Sequence, residues 1–218
     1  MKISVVITGG GASTRFGKKD KLLELINGKE VILHSVDAFL PLEPFEFVIS
    51  SSQKIEDRVK SKLTHIKNLK FVRGGATRQE SVFNALKICD NPDYVLIHDA
   101  ARPLIKFEQI KNCLEKTIET GAAIAAVRAV DTIKVVDENM KIIDTPNRDF
   151  LWHVQTPQVF DYRLILNAHE RLAGQSFSDD AGMLESLNIP VYISEGDYSN
   201  IKITVENDIK IAEQLINQ

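Results

Sequence analysis

The chain has little of what staples small secreted or metal-built proteins together. Only Cys89 and Cys113 are cysteines, without C-x-x-C spacing. A chain of 218 residues needs no disulfide to stabilise it, so both are expected to be reduced. No run approaches the ~18 apolar residues of a spanning helix. Met1-Lys2 leads straight into a strand pattern, too short for the apolar core of a signal peptide, and a cytoplasmic protein without membrane partners is the expectation. No internal repeat and no linker rich in Pro, Gly or Ser interrupts the chain, which reads as a single domain over 1–218. Charge of one sign is also missing, with 27 Lys and Arg against 30 Asp and Glu, which argues against a general nucleic-acid binder. Hydrophobic residues at 44% and charged residues at 26% describe an ordinary globular chain, long enough to bury roughly 70% of its unfolded surface.

What is present is concentrated near the start. Ser4 to Ile7 is a β-branched apolar run that reads as a buried strand, and it ends in Gly9, Gly10 and Gly11. Consecutive glycines let backbone N–H groups approach a ligand closely, and a loop of such groups is an anion cradle. Arg15, Lys18, Lys19 and Lys21 follow, a local cluster in a chain of net charge -3. The pattern points to a highly charged phosphate ligand. It is neither a Walker loop, which needs a Gly-Lys-Ser/Thr ending, nor a dinucleotide fingerprint, which needs G-x-G-x-x-G and an acid after the second strand. That second strand candidate, 46–49, runs out into Ser50, Ser51 and Ser52. For the loop alone a second reading stays open, a tight turn with a solvated basic face.

Further along, apolar spacing predicts a helix over 31–40 stopped by Pro41, a helix through Ile55, Val59 and Leu63, and a strand at 69–72. Thr77 and Glu80 form a capping box, so a helix should run through Val82, Ala85 and Leu86. Gly74 and Gly75 then lie between a strand end and a helix start, where α/β sheets bind ligands. Ser81 there either touches a base or sugar or faces solvent. A strand at 94–97 leads into His98-Asp99-Ala100-Ala101-Arg102-Pro103. Asp99 reads as part of a phosphate and metal site or as a cap or a partner for Arg102, and His98 as a structural hydrogen-bonding residue.

A helix over 107–120 ends at Gly121, and a strand covers 122–127. Strands at 131–136 and 141–144, joined at Asp137-Glu138-Asn139, form a hairpin with apolar Ile133, Val135, Ile142 and Ile143, a surface for a second subunit. Trp152 is expected to pack rather than react. The segment 162–172 is amphipathic. Ser178 reads as the N-cap of a helix to 187, with Asp179 and Asp180 in its first turn. Strands at 191–194 and 201–203 follow, and Thr204 caps a closing helix over 205–216. Lys202, inside the last strand, either faces solvent or reaches into the site. Strands alternating with helices imply an α/β fold, a Rossmann-like and mostly parallel sheet with helices on both faces and a protruding β-hairpin arm at about 131–150.

Taken together, the glycine loop ending in Arg15, Lys21, the Gly74-Gly75 to Ser81 segment, His98 to Pro103, Asp131-Thr132, Leu151-Trp152-His153, Gln155-Thr156-Pro157-Gln158 and Asn200 to Thr204 resemble the 2-C-methyl-D-erythritol 4-phosphate cytidylyltransferase family of the non-mevalonate isoprenoid pathway, over nearly the whole chain. The resemblance implies that the methylerythritol phosphate attacks the α-phosphorus of CTP, with Mg²⁺-bound pyrophosphate leaving. It also assigns roles. Arg15 and Lys21 stabilise charge on the triphosphate, and Arg148 and Lys202 hold the sugar phosphate. Gly9, Gly10, Gly11, Ser13, Gly75, Ala76, Ser81 and Ala100 bind CTP. Asp99, Arg102, Thr132, Thr156 and Ser178 join Arg148 and Lys202 in binding the methylerythritol phosphate, and Asp99 is a weak metal ligand beside the CTP phosphates. It further implies a homodimer in which the arm carries Thr132 and Arg148 into the neighbouring site. Three positions depart from the family pattern. Gly9 to Ser13 replaces Ala-Ala-Gly-x-Gly, Asp20-Lys21-Leu22 replaces Pro-Lys-Gln, and Ala76 replaces an acid. The alternatives are a ribitol 5-phosphate cytidylyltransferase, from which Ala100-Ala101 and Trp152-His153 differ, and a nucleotide-binding homologue with impaired catalysis.

Overall fold

In the computed structural model, which describes residues 1–9, 16 and 20–216, a seven-stranded sheet is built around β1 (Ile3–Thr8). Its other strands are β4 (Glu46–Ser51), β5 (Leu69–Arg73), β6 (Tyr94–Asp99), β7 (Ala122–Arg128), β10 (Trp152–Asp161) and β11 (Tyr192–Glu195), in the order β11-β7-β10-β6-β1-β4-β5. All neighbours are parallel except β10, which runs antiparallel to both β6 and β7. Two short pairs stand apart, β2 (Leu25–Ile26) with β3 (Lys29–Glu30) and β8 (Val135–Val136) with β9 (Ile142–Asp144).

The pleat sends alternate strand residues to opposite faces, and each face has its own core. Val5, Ile7, Phe47, Ile49, Leu96 and Val159 meet α1 (Val31–Asp37), α2 (Gln53–Val59), α4 (Phe107–Thr120) and α7 (Asn207–Ile216). Val6, Val48, Val95, Ile97 and Phe160 meet α3 (Arg78–Leu86), α5 (Tyr162–Arg171) and α6 (Asp180–Ser186). Both thiols are unpaired and buried, and burial pushes each of them up to about 12.

Several element ends differ from the sequence expectation. The helix expected over 31–40 stops at Asp37, and Pro41 sits inside a separate 3-10 turn, Leu40–Leu42. β6 extends through His98 and Asp99, so these belong to the strand rather than to the loop after it. The N-cap of α6 is Asp179, whose Oδ1 accepts the Gly182 N–H at 3.0 Å, not Ser178, because the carboxylate is the group that reaches an orphan helix donor. The expected strand at 201–203 is irregular, with one ladder-like bond, Ile203 N–H to the Ala101 carbonyl at 2.8 Å. Thr204 is itself capped by Asp208, whose Oδ2 accepts from the Thr204 N–H and hydroxyl at 2.7 and 2.8 Å, so the closing helix begins at Asn207. Asn27 and Gly28, with φ of 47 and 81°, make the tight turn of the β2–β3 hairpin, as Asn-Gly does where both central residues need positive φ.

At the amino ends of the strands, opposite the site, Glu46 is fully buried. Its Oε1 accepts from the Ser4 hydroxyl at 2.6 Å and the Asp90 N–H at 2.8 Å, and its Oε2 from Lys70 Nζ at 2.7 Å. This ties β1, β4, β5 and the turn before β6 together. Removing the cation leaves a buried carboxylate without its counter-charge, so Lys70→Met should lower unfolding free energy by about 3 kcal/mol. The measurement is urea denaturation, with the midpoint falling and the slope unchanged.

Candidate active site

β1 and β6 lie side by side, with Thr8 and Asp99 in register at their carboxyl ends. The chain leaves β1 toward β4 and leaves β6 toward β10 and β7, so these two strands flank the switch point at which open α/β sheets bind ligands. Asp99 is the centre of what gathers there. Its Oδ1 accepts from Arg78 Nε at 3.0 Å and from the Thr8 hydroxyl at 3.4 Å, and its Oδ2 from Lys202 Nζ at 2.5 Å. Burial would raise its pKa, but Arg78, Lys202 and Arg102 outweigh it and hold the carboxyl far below the usual carboxylate range. Arg78 Nη1 also donates to Asp180 Oδ2 at 2.6 Å, so one guanidinium bridges β6 to the first turn of α6.

Lys202 is held there by its neighbours rather than by a strand. Asn200, fully buried, donates to the Thr156 carbonyl at 2.9 Å and to Gln155 Oε1 at 3.1 Å, while its own carbonyl accepts from Arg102 Nη1 at 2.8 Å. With Ile203 bonded to Ala101 on the other side, the backbone is anchored on both sides of the lysine. The Lys202 side chain stays 39% exposed, so its ammonium faces both Asp99 and the solvent side.

Thr156 and His98 complete the floor. Asp99 N–H donates to Thr156 Oγ1 at 3.1 Å, and Thr156 Oγ1 lies 2.9 Å from His98 Nδ1. His98 Nε2 faces the Arg102 carbonyl at 3.0 Å, which can only accept, so Nε2 carries the proton and Nδ1 accepts from Thr156. Burial pushes the His98 pKa down to about 4. Both ring nitrogens are engaged, as expected of a structural histidine, and the one lone pair, on Nδ1, is taken by the Thr156 hydroxyl within the buried floor.

The glycine segment is built from inside. The Gly75 N–H donates to Ser81 Oγ at 3.0 Å and the Ala76 N–H to Glu80 Oε2 at 2.7 Å. A Cβ on Gly75 would lie 2.2 Å from the Glu80 Cβ, so only glycine fits. Thr77 Oγ1 caps the Glu80 N–H at 3.1 Å as expected, but the reciprocal bond goes to Ala76 instead of Thr77. Ser81 is fully buried and donates to the Thr77 carbonyl at 2.8 Å, so the solvent-facing reading of it is wrong. Ala100 is also fully buried, and the Gly9 N–H is spent on the Ser50 carbonyl at 2.7 Å.

Thus Thr8, Arg78, Asp99, Arg102, Thr156 and Lys202 come together. Lys21 opens a 3-10 turn, Lys21–Leu23, and lies near enough to Asp208 to help lower its pKa, although burial opposes that shift and backbone bonds from Val205 and Thr204 contribute more. Thr132, Arg148 and Ser178 are exposed, and Arg148 Nη1 donates to the Val130 carbonyl at 2.6 Å. Gly10, Gly11, Ser13 and Arg15, with Lys18 and Lys19, lie outside the described residues. The sequence gives Arg78 no role, and Asp180 only that of an acid in the first turn of a helix. The arginine within the Gly-Gly-to-helix segment was the available signal.

A protein-built metal cage does not fit this site. The four carboxylate oxygens of Asp99 and Asp180 are taken by Arg78, Lys202 and His169. Among the described residues no group of three His, Cys, Asp or Glu could hold an ion. A Mg²⁺ would therefore have to be carried by substrate phosphates and its own waters. Among the described residues Arg78, Arg102 and Lys202 outnumber the carboxylates of Asp99 and Asp180, so the site is cationic and suited to binding phosphate groups.

The family model of 2-C-methyl-D-erythritol 4-phosphate cytidylyltransferase matches residues 3–218. Similar proteins carrying that name come from Caldanaerobacter subterraneus subsp. tengcongensis, 39% identical over all of both chains, and from Dictyoglomus thermophilum, 38% identical over 100% of this chain and 97% of that one. A solved 4-diphosphocytidyl-2C-methyl-D-erythritol synthase from Anaerococcus prevotii superposes with a TM-score of 0.89 at 30% identity, covering 100% of this chain and 96% of that one. The Thermus thermophilus cytidylyltransferase superposes at 0.81 and 29%, covering both chains fully. The fold and site mark a nucleotidyltransferase. The chain belongs to the 2-C-methyl-D-erythritol 4-phosphate cytidylyltransferase family, and the ribitol 5-phosphate alternative is not favoured.

The buried neutral His98 makes a pH prediction. Its folded pKa of about 4 lies below the ordinary 6.5, so on acidification the unfolded chain takes up the proton first and stability falls across that window. A His98→Gln variant should show a flatter decline between pH 6.5 and pH 4 in a series of urea midpoints.

Proposed function

We propose that this protein transfers the cytidylyl group of CTP to 2-C-methyl-D-erythritol 4-phosphate, with a phosphate oxygen of the sugar phosphate attacking the α-phosphorus. The new P–O bond forms as the bond to pyrophosphate breaks, giving the CDP-linked methylerythritol. The observation that carries the reading is Lys202 Nζ, 2.5 Å from Asp99 Oδ2 at the switch point, in a chain that belongs to the cytidylyltransferase family. A phosphate monoester is already an anionic nucleophile at neutral pH, so positioning and charge cancellation are what the site must supply. Asp99 keeps Lys202 oriented until a phosphate competes for its ammonium. In this reading Lys202 and Arg148 hold the sugar phosphate, Arg102, Thr156, Thr132 and Ser178 complete its pocket, and Arg15 and Lys21 face the triphosphate beside the glycine loop. A Mg²⁺ held by the CTP phosphates would screen their charge, with no cage of described side chains to hold it.

The proposal includes a homodimer. Thr132 and Arg148 flank the exposed β8–β9 pair, where Val135, Ile142 and Ile143 are 41%, 57% and 61% exposed. Such apolar strands favour cover by a second copy. It also includes a single domain in the cytoplasm, in keeping with two buried, unpaired thiols.

Pyrophosphate release should require CTP, methylerythritol phosphate and Mg²⁺ together, and Lys202→Met should lose roughly a hundredfold to a thousandfold in kcat. Turnover with ribitol 5-phosphate instead would overturn the substrate, and CTP binding in calorimetry without product would leave a binding homologue. Lys202→Met and Arg148→Met subunits, each impaired alone, should regain activity when mixed. Only a site shared across the dimer recovers one intact lysine–arginine pair in that way, and no recovery would place both residues in one subunit's site.

A further inference from the structure

One buried chain of charge extends behind the site to a residue with no part in the reaction as described. His169, on α5, is 2% exposed, and its ring stacks on Phe83 of α3 with centroids 5.6 Å apart and an interplanar angle of 10°. Its Nε2 lies 3.2 Å from Asp180 Oδ1, an atom that accepts, so the ring donates there. The other oxygen, Oδ2, receives Arg78 Nη1 at 2.6 Å. Asp180, itself 1% exposed, is further fixed through its backbone, whose N–H donates to Gln158 Oε1 at 3.1 Å. Arg78 then donates through Nε to Asp99 Oδ1, and Asp99 offers Oδ2 to Lys202.

A planar guanidinium gripped by two carboxylates has no rotational freedom left, and the orientation of each carboxylate is set by the donor on its far oxygen. We propose that His169 and Asp180 are positioning residues for the phosphate-holding Lys202. His169 sets the plane of the Asp180 carboxylate, Asp180 sets Arg78, and Arg78 turns Asp99 so that its second oxygen presents Lys202 to the incoming phosphate. This rests on the transfer reaction proposed above. His169 and Asp180 are both buried, at 2% and 1% exposed, and their effect is on geometry at the reacting phosphate.

The test pairs His169→Phe, which keeps the ring and its stacking but removes the donor, with His169→Gln, which restores a donor. Steady-state kinetics should give His169→Phe a kcat reduced about tenfold or more, as a small misplacement of a reacting group does, with KM for CTP changed by less than about twofold. His169→Gln should recover most of that loss. Asp180→Asn should be at least as impaired as His169→Phe. The double variant with His169→Phe should be no slower than Asp180→Asn alone, since the two act through one path. A folded His169→Phe enzyme with wild-type kcat overturns the proposal. Equal impairment of the Phe and Gln variants also overturns it, because packing would then be the cause. If the unaltered enzyme turns over no CTP with methylerythritol phosphate, the proposed reaction fails on its own account. Crystal structures of the two His169 variants then decide the inference, which stands if Arg78 and Asp99 turn in the Phe variant and return in the Gln variant, and falls if they do not move.

Discussion

The carboxylate of Asp99 sits at the end of a central strand where it is 6% exposed, and a charge withdrawn from water in this way must be matched by cations held in place. Arg78 and Lys202 supply them, from a helix start and from an irregular segment more than a hundred residues further along the chain. Meeting that requirement joins three parts of the molecule that are distant in sequence. The start of α3, the start of α6 and the segment 200–204 all converge on one strand end. The cost of leaving such a charge unpaired, on the order of 3 to 5 kcal/mol, is comparable to a large part of a domain's whole stability.

The sheet is arranged so that this convergence is possible. Parallel β1 and β6 put Thr8 and Asp99 side by side, and the single antiparallel strand, β10, enters from the opposite direction so that Thr156 arrives beside Asp99. A second buried carboxylate, Glu46, is matched by Lys70 at the other end of the strands. The two ends have different consequences. At the amino ends Lys70 is shared between Glu46 and Asp90 and bonds the Ile88 carbonyl as well, whereas at the carboxyl ends Lys202 bonds Asp99 and keeps 39% of its side chain in solvent.

Much of this was legible before any coordinates. Strand and helix cores follow from apolar periodicity, and α4 with its end at Gly121 matches the pattern residue for residue, since an amphipathic run closed by a left-handed glycine is a local signal. Asp99, Arg102, Thr156 and Lys202 were legible as a group through the family resemblance. Element ends were less so. β6 runs on through two polar residues because His98 and Asp99 both bond to the buried Thr156 hydroxyl, which hydropathy does not report. The segment at 201–203 alternates like a strand yet has no neighbouring strand to pair with, and it is tied down instead by Asn200 and Ile203.

The sequence by itself determined the alternation of strands and helices, the position of the glycine-rich segments and the family, because these depend on local periodicity, turn chemistry and ordered motifs. The tertiary structure decided which charges meet. Arg78 looked like one more basic residue near a glycine pair, and His169 and Asp180 like parts of two ordinary helices. Their roles depend on distances across 11, 21 and 102 positions of chain. Nothing in residue spacing specifies such distances, since only the packing of α3, α5 and α6 on one face of the sheet brings those side chains within reach of one another.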